Sequence, residues 1–151
     1  MRAVIQRVTS ASVTVKNKLI AKIAKGLVIF LGVEKQDASA QARILAQRIQ
    51  ELRIFGDAQG KMNLSAQDIQ AELLVVSQFT LCADTAKSGR RPSFDRALEP
   101  ALAEKLYLEF IQNLKKSQLK VAQGVFKEYM SVHLDNDGPV TFILEAKQGN
   151  A

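Results

Sequence analysis

The chain has 151 residues, of which 47% are hydrophobic and 24% charged, with no Trp; this composition fits one globular domain built on a mostly aliphatic core. A single cysteine, Cys82, and a single histidine, His133, exclude an internal disulfide and a Cys/His zinc site, and make a reducing cytoplasm the simplest setting. The net charge of +6 and the pI near 9.6 are enough to draw a polyanion such as RNA, although many proteins of that charge bind none.

The opening Met1-Arg2-Ala3-Val4-Ile5-Gln6-Arg7 lacks the sustained apolar segment of a secretory signal, and no stretch approaches transmembrane length, so no membrane partner is expected. Short apolar runs bounded by turn signals predict strands over residues 3–8, 12–15, 19–23 and 27–33, with Asn17 between two lysines as a hairpin turn. Beyond Gly32 the period changes. Asp37 or Ser39 is expected to cap a helix whose apolar positions are Ala42, Leu45, Ala46 and Ile49. Residues 53–55 read as a short strand and 56–60 as a turn. A buried strand over 73–76 then delivers Ser77-Gln78-Phe79-Thr80 at its end.

Residues 86–93 are polar, carry Lys87, Arg90 and Arg91, and read as a mobile basic loop. Pro100 suits the first turn of a second helix, with Leu102, Leu106, Phe110 and Leu114 as its apolar stripe and Lys115 and Lys116 at its C-terminal end. Alternation at Met130, Val132 and Leu134 predicts a strand, after which Asn136-Asp137-Gly138-Pro139 is expected to turn the chain into a last strand over 140–144. Strands at both ends with helices between them predict an α+β fold: a single domain over 1–151 whose β-sheet or partial barrel is covered by helices on one side.

The residues leave few routes to catalysis. A serine-type triad needs a histidine base, and His133 alternates away from Val132 and Leu134 as a polar position on the other face of a strand. Asp135 and Asp137 sit beside a turn, where such side chains usually cap backbone groups rather than act as general acids. Thr80 either helps to hold an oxyanion or caps the turn, and Gln78 either bonds a substrate's polar end or meets solvent and nearby backbone. Cys82 reads as a small apolar residue. Gly138-Pro139 is ordinary turn punctuation or, alternatively, a rigid step that presents bare carbonyl oxygens to a ligand.

The segments Arg2-Ala3-Val4-Ile5-Gln6-Arg7-Val8, Leu31-Gly32-Val33-Glu34, Arg53-Ile54-Phe55, Lys61-Met62-Asn63-Leu64, Ser77-Gln78-Phe79-Thr80-Leu81, Arg91-Pro92-Ser93-Phe94 and Asn136-Asp137-Gly138-Pro139-Val140-Thr141 stand in order along nearly the whole chain. In them the sequence resembles the D-aminoacyl-tRNA deacylases, and residues 77–80 and 138–141 correspond to that family's signature motifs.

The resemblance implies a homodimer without metal or organic cofactor. Its substrates would be D-aminoacyl-tRNA and glycine mischarged on tRNA for alanine, cleaved at the ester to the terminal ribose. It also implies that Gly138-Pro139 is cis and enters the partner subunit's pocket, that Arg7 fixes this segment, and that Asn136 and Met130 belong to the substrate site. Ser77, Gln78, Phe79 and Thr80 would line the site of hydrolysis, with backbone amides around Phe79 and Thr80 facing the carbonyl and the ribose 2′-hydroxyl assisting. Covalent attack by the Thr80 hydroxyl ranks lower. Orientation, an oxyanion hole and a placed water can suffice for so reactive an ester. Main-chain atoms of Gly138 and Pro139 would reject L side chains by occupying their space. The family's usual pattern places two small residues and an acid between an aromatic and a methionine, where this chain has Lys127-Glu128-Tyr129 between Phe126 and Met130. The alternative function is a noncatalytic RNA-binding dimer that keeps the pocket, and a weaker one is a hydrolase for another acylated RNA.

Overall fold

The structure is a computed structural model and describes residues 1–86 and 90–149. Its first strand, β1 (Arg2–Val15), runs unbroken through both segments that the sequence divides. A turn at Lys16 and Asn17, both at positive φ, returns the chain as β2 (Lys18–Ile23), and β3 (Gly26–Gly32) continues along the same side of β1. Helix α1 (Ser39–Glu51) follows. Neither expected residue caps it. Ala38 is the cap, its amide satisfied by the Gln41 side chain at 3.0 Å, while Asp37 instead accepts from the Glu34 amide and pairs with the Met1 amino group.

The small strands β4 (Phe55–Gly56) and β5 (Met62–Leu64) pair around the Asp57 to Gly60 turn. Next come β6 (Glu72–Ser77), a short 3₁₀ turn (Phe79–Cys82), α2 (Pro100–Lys115), β7 (Val121–Gln123) and β8 (Ser131–Glu145). The main sheet has the order β2-β1-β3-β6-β7, with β8 on the free side of β1; β3, β6 and β7 are parallel neighbours.

Strand alternation divides the interior into two cores. Ala3 and Ile5 of β1, Leu27, Ile29 and Leu31 of β3, and Leu73 and Val75 of β6 face α1 and α2. Their neighbours Val28, Leu74 and Val76 face the other way, where Val8, Ala11 and Val13 join them and Met130, Val132 and Leu134 pack over the sheet. The sheet thus curls into a partial barrel with its helices on one face, an α+β architecture.

On α2 the buried face is Ala103, Tyr107, Phe110, Ile111 and Leu114, whereas Leu102 is 52% exposed. A strict four-residue spacing drifts around a helix of 3.6 residues per turn, so the stripe read from the sequence leaves the core at its first member. Glu99 caps this helix, accepting from the amides of Ala101 and Leu102, and Pro100 occupies its first turn as expected.

Candidate active site

The C-terminal ends of parallel strands open on one edge of a sheet, and there β3 and β6 end side by side at Gly32 and Ser77. A Cβ on Gly32 would lie 3.0 Å from both Leu81 Cβ and Cys82 Sγ, so the glycine lets the 3₁₀ turn seat against β3. The Gln78 amide donates to Leu31 O at 2.8 Å, and the Leu81 amide to Gln78 O at 3.2 Å, closing the turn. The amides of Phe79 and Thr80 open it ahead of this first internal bond, so helical geometry supplies them no acceptor.

Thr80 is exposed, and its hydroxyl accepts a 2.5 Å hydrogen bond from Gln78 Nε2. Phe79 is 59% exposed and meets Phe94 ring to ring at 5.0 Å. Cys82 is buried against Val33 O, and that burial, then Glu34 and Asp37, push its thiol up to about 11; it is a packed neutral group, not a nucleophile.

Beside the turn lies a groove of about 640 Å³, a size suited to a small-molecule ligand. Its walls include buried Leu31, Val76 and Tyr107, and Ser77, Gln78, Phe79 and Met130 also line it. The Tyr107 hydroxyl donates to Val75 O at 3.0 Å, and burial pushes its pKa well above the usual phenol range, so it is a wall and not a base. Sequence reasoning missed Tyr107. The signal was available: Ala103, Tyr107, Phe110 and Ile111 follow the i, i+4, i+7, i+8 spacing of a helix face better than the leucines do.

The expected turn at Asn136 to Pro139 is instead a bulge within one long strand. Gln6 pairs with Thr141 and Val8 with Asn136, so two steps of β1 face five steps of β8 and three residues are extruded opposite Arg7. Asn136 clamps the base of the bulge: its side-chain oxygen accepts from the Val140 amide at 2.7 Å, and its Nδ2 donates to Val140 O and to Thr141 Oγ1, each at 3.2 Å.

Arg7, mostly buried, donates through Nε to Asp137 O at 3.0 Å, pairs with the Asp137 carboxylate at 3.2 Å, and donates through Nη1 to Ile54 O at 2.6 Å. It therefore ties the bulge to the segment leading into β4. Gly138 has φ +148°, and the Gly138-Pro139 peptide is cis.

Within one chain the candidate residues separate into two places. Ser77, Gln78, Phe79 and Met130 line the groove, with Thr80 on the adjoining turn; Asn136, Gly138 and Pro139 belong to the bulge with Arg7 of β1 behind it, and neither Gly138 nor Pro139 lines the groove. Both are exposed. His133 is exposed, 3.2 Å from Ser131 Oγ, and the neighbouring Asp135 accepts from Ser10 instead, so these groups do not assemble a triad. In the basic loop Arg90 and Arg91 are exposed, whereas Lys87 falls outside the described residues. Among the described residues, no three His, Cys, Asp or Glu side chains converge to hold a metal ion, and no helix is long and apolar enough to cross a membrane.

Residues 4–145 match the family model described as D-Tyr-tRNA(Tyr) deacylase. A D-aminoacyl-tRNA deacylase of Syntrophobacter fumaroxidans is 51% identical over 148 residues, covering 98% of this chain and 99% of its own. The protein of that name from Syntrophotalea carbinolica is 53% identical over 146 residues, covering 97% of each chain. Among solved structures, the c-Myc DNA Unwinding Element Binding Protein superposes with a TM-score of 0.90 at 40% identity, over 97% of this chain and 99% of that one. A probable eukaryotic D-amino acid tRNA deacylase shares the fold, with a TM-score of 0.83 at 15% identity, over 96% of this chain and 98% of that one.

Proposed function

Because the chain belongs to the D-Tyr-tRNA(Tyr) deacylase family and is a hydrolase of D-aminoacyl-tRNA, we propose that it works as a homodimer whose active site is completed across the subunit interface. The bulge of one subunit enters the groove of the other. The carrying observation is the separation just described: the extruded Gly138 and Pro139 are exposed, held from behind by Arg7 and Asn136, and apart from the groove of their own chain.

In the assembled site the aminoacyl ester lies along the groove with its carbonyl toward the amides of Phe79 and Thr80, two donors fixed before reaction begins. Water attacks the carbonyl carbon, its proton passing to solvent or to the ribose oxygen, and the bond from the carbonyl carbon to the ribose oxygen breaks as the tetrahedral intermediate collapses. The adjacent ribose 2′-hydroxyl assists. Gln78 holds the Thr80 hydroxyl in place, which makes Thr80 a positioning residue of the turn. Met130 and Phe79 bound the space for the amino acid. Backbone of Gly138 and Pro139 fills the volume that an L side chain needs, so selection is by exclusion, and glycine, with nothing to exclude, is also cleaved.

The test is ester loss from D-Tyr-tRNA, L-Tyr-tRNA and Gly-tRNA, followed by subunit complementation. A subunit carrying Gly138→Val is mixed with one whose groove is blocked by Ser77→Trp. Random pairing restores one intact site in each mixed dimer, about a quarter of normal activity, if the site spans two chains. No recovery in dimers shown to have exchanged would refute the cross-subunit site. Binding of tRNA without turnover would favour the noncatalytic RNA-binding reading.

A further inference from the structure

The groove's rim carries a feature that the hydrolytic site does not use. Residues 125–128 form a turn closed by the Glu128 amide on Val125 O at 3.3 Å, and Lys127 sits in it at φ +65°, a position that favours glycine. The next two side chains, just ahead of β8, take opposite sides. Met130 turns inward, where its Sδ would lie 2.6 Å from a Cβ built on Gly124. Tyr129 turns outward and is 93% exposed, the most exposed large hydrophobic side chain among the described residues.

The charges around it are asymmetric in use. Glu128 pairs with Lys16 at 3.8 Å, and Glu99 is committed to the cap of α2, whereas Lys127 makes no ion pair or side-chain hydrogen bond among the described residues. Lys127 and Tyr129 both line the same groove as Ser77 and Gln78.

We infer that Tyr129 and Lys127 form a second contact for the unpaired 3′ end of the tRNA: the Tyr129 ring stacks on a base beyond the terminal nucleoside, and the Lys127 ammonium meets a phosphate of the same strand. The inference rests on the deacylase reading and extends it from the ester to the strand that leads to it. An exposed ring beside a free cation is the pairing that single-stranded nucleic acid recognition uses, since every base has a face to stack and every linkage a charge. Continuity with the groove supplies the direction, because a strand whose terminal nucleoside lies among residues 77–79 must leave past the rim.

The experiment compares D-Tyr-tRNA with D-tyrosyl-adenosine, which ends where the inferred contact begins. Tyr129→Ala is expected to raise KM for D-Tyr-tRNA roughly 5- to 100-fold with kcat little changed, and to leave D-tyrosyl-adenosine hydrolysis unaffected. Tyr129→Trp restores the lower KM, and Lys127→Ala lowers the slope of log KM against log salt by about 0.7. Unchanged KM for tRNA in Tyr129→Ala, an equal rise for both substrates, or weakened self-association in sedimentation would each overturn the inference. Failure of the unaltered protein to cleave either substrate would defeat the deacylase reading itself, an outcome distinct from these.

Discussion

Substituting Gly138 by alanine tests the bulge directly. A Cβ there would stand 2.6 Å from Val140 Cγ2 and 2.9 Å from the Val140 backbone nitrogen. The first distance falls 0.8 Å short of the 3.4 Å at which ordinary contact begins, and the second cannot be relieved by rotating a side chain. Val140 is buried and its amide is bonded to Asn136, so the strand resists moving away. Positive φ adds its own cost: a non-glycine residue in a sparsely populated backbone region loses about 1–3 kcal/mol. For a chain of this size that corresponds to a fall in Tm of roughly 2–12 °C.

If the bulge instead yields by several tenths of an ångström, its atoms would miss the place that the proposed cross-subunit site gives them, and a misplacement of about 1 Å is worth roughly 100-fold in rate. D-Tyr-tRNA turnover is therefore expected to fall roughly 10- to 100-fold. Gly56→Ala serves as the control, because a Cβ at Gly56 meets nothing within 4 Å. The assays are calorimetric melting and single-turnover deacylation. Gly138→Ala with melting and turnover both matching the control refutes the steric argument, and a lower Tm with unchanged turnover confines the bulge to a structural role.

Thr80→Ala removes the hydroxyl that Gln78 holds at 2.5 Å but leaves the amides of the turn in place. It is expected to slow hydrolysis about 10-fold without abolishing it, and quenched reactions of the unaltered protein are expected to contain no acylated Thr80 by mass spectrometry. A kinetically competent adduct there would restore covalent catalysis. A third expectation concerns acid stability. The side-chain bond from Lys120, then the Ala24 amide, hold Glu72 below its ordinary pKa. A depressed carboxylate pKa stabilises the fold above the unfolded value near 4.5, and this contribution is lost as pH falls through the folded value. Lys120→Ala should destabilise the fold at pH 7 by the small amount expected of an exposed pair, roughly 0.2–1 kcal/mol, read as a slightly lower Tm, with the difference closing below about pH 4. A difference that widens on acidification contradicts the assignment.

Periodicity made the sheet legible where alternation was clean. Every residue from Leu73 to Val76 is buried, as is every residue from Leu27 to Leu31 except the half-buried Phe30, and the two-residue period assigns Leu27, Ile29, Leu31, Leu73 and Val75 to one core and Val28, Leu74 and Val76 to the other. β1 was harder. Ala3 and Ile5 face the helices, but Ala11 and Val13, of the same parity, face the other core, because the pairing with β8 slips between Val8 and Ser10. Such a slip breaks the alternation, so one continuous strand reads as two. The helix cap was misread because Asp37 had a stronger use. A carboxylate near a buried amino group is held more firmly than by a helix amide, and no local pattern reveals that group.

The same limit governs the site. Asn136, Asp137, Gly138 and Pro139 are the residue types of a turn, and the backbone there does leave the pairing with β1 while remaining within β8. What local chemistry cannot state is that Gln6 and Val8 lie across from it, so that the chain resumes the same strand instead of reversing. Register with a partner strand more than 120 residues earlier decides between turn and bulge, and the bulge is what leaves Gly138 and Pro139 exposed with Arg7 behind them. A hydrolytic site assembled from an exposed backbone projection and a groove on another copy has no compact sequence signature, because neither half contains an acid, base and nucleophile at catalytic spacing. Each half is ordinary by itself, and in the proposed dimer the chemistry depends on one chain's projection meeting the other's groove.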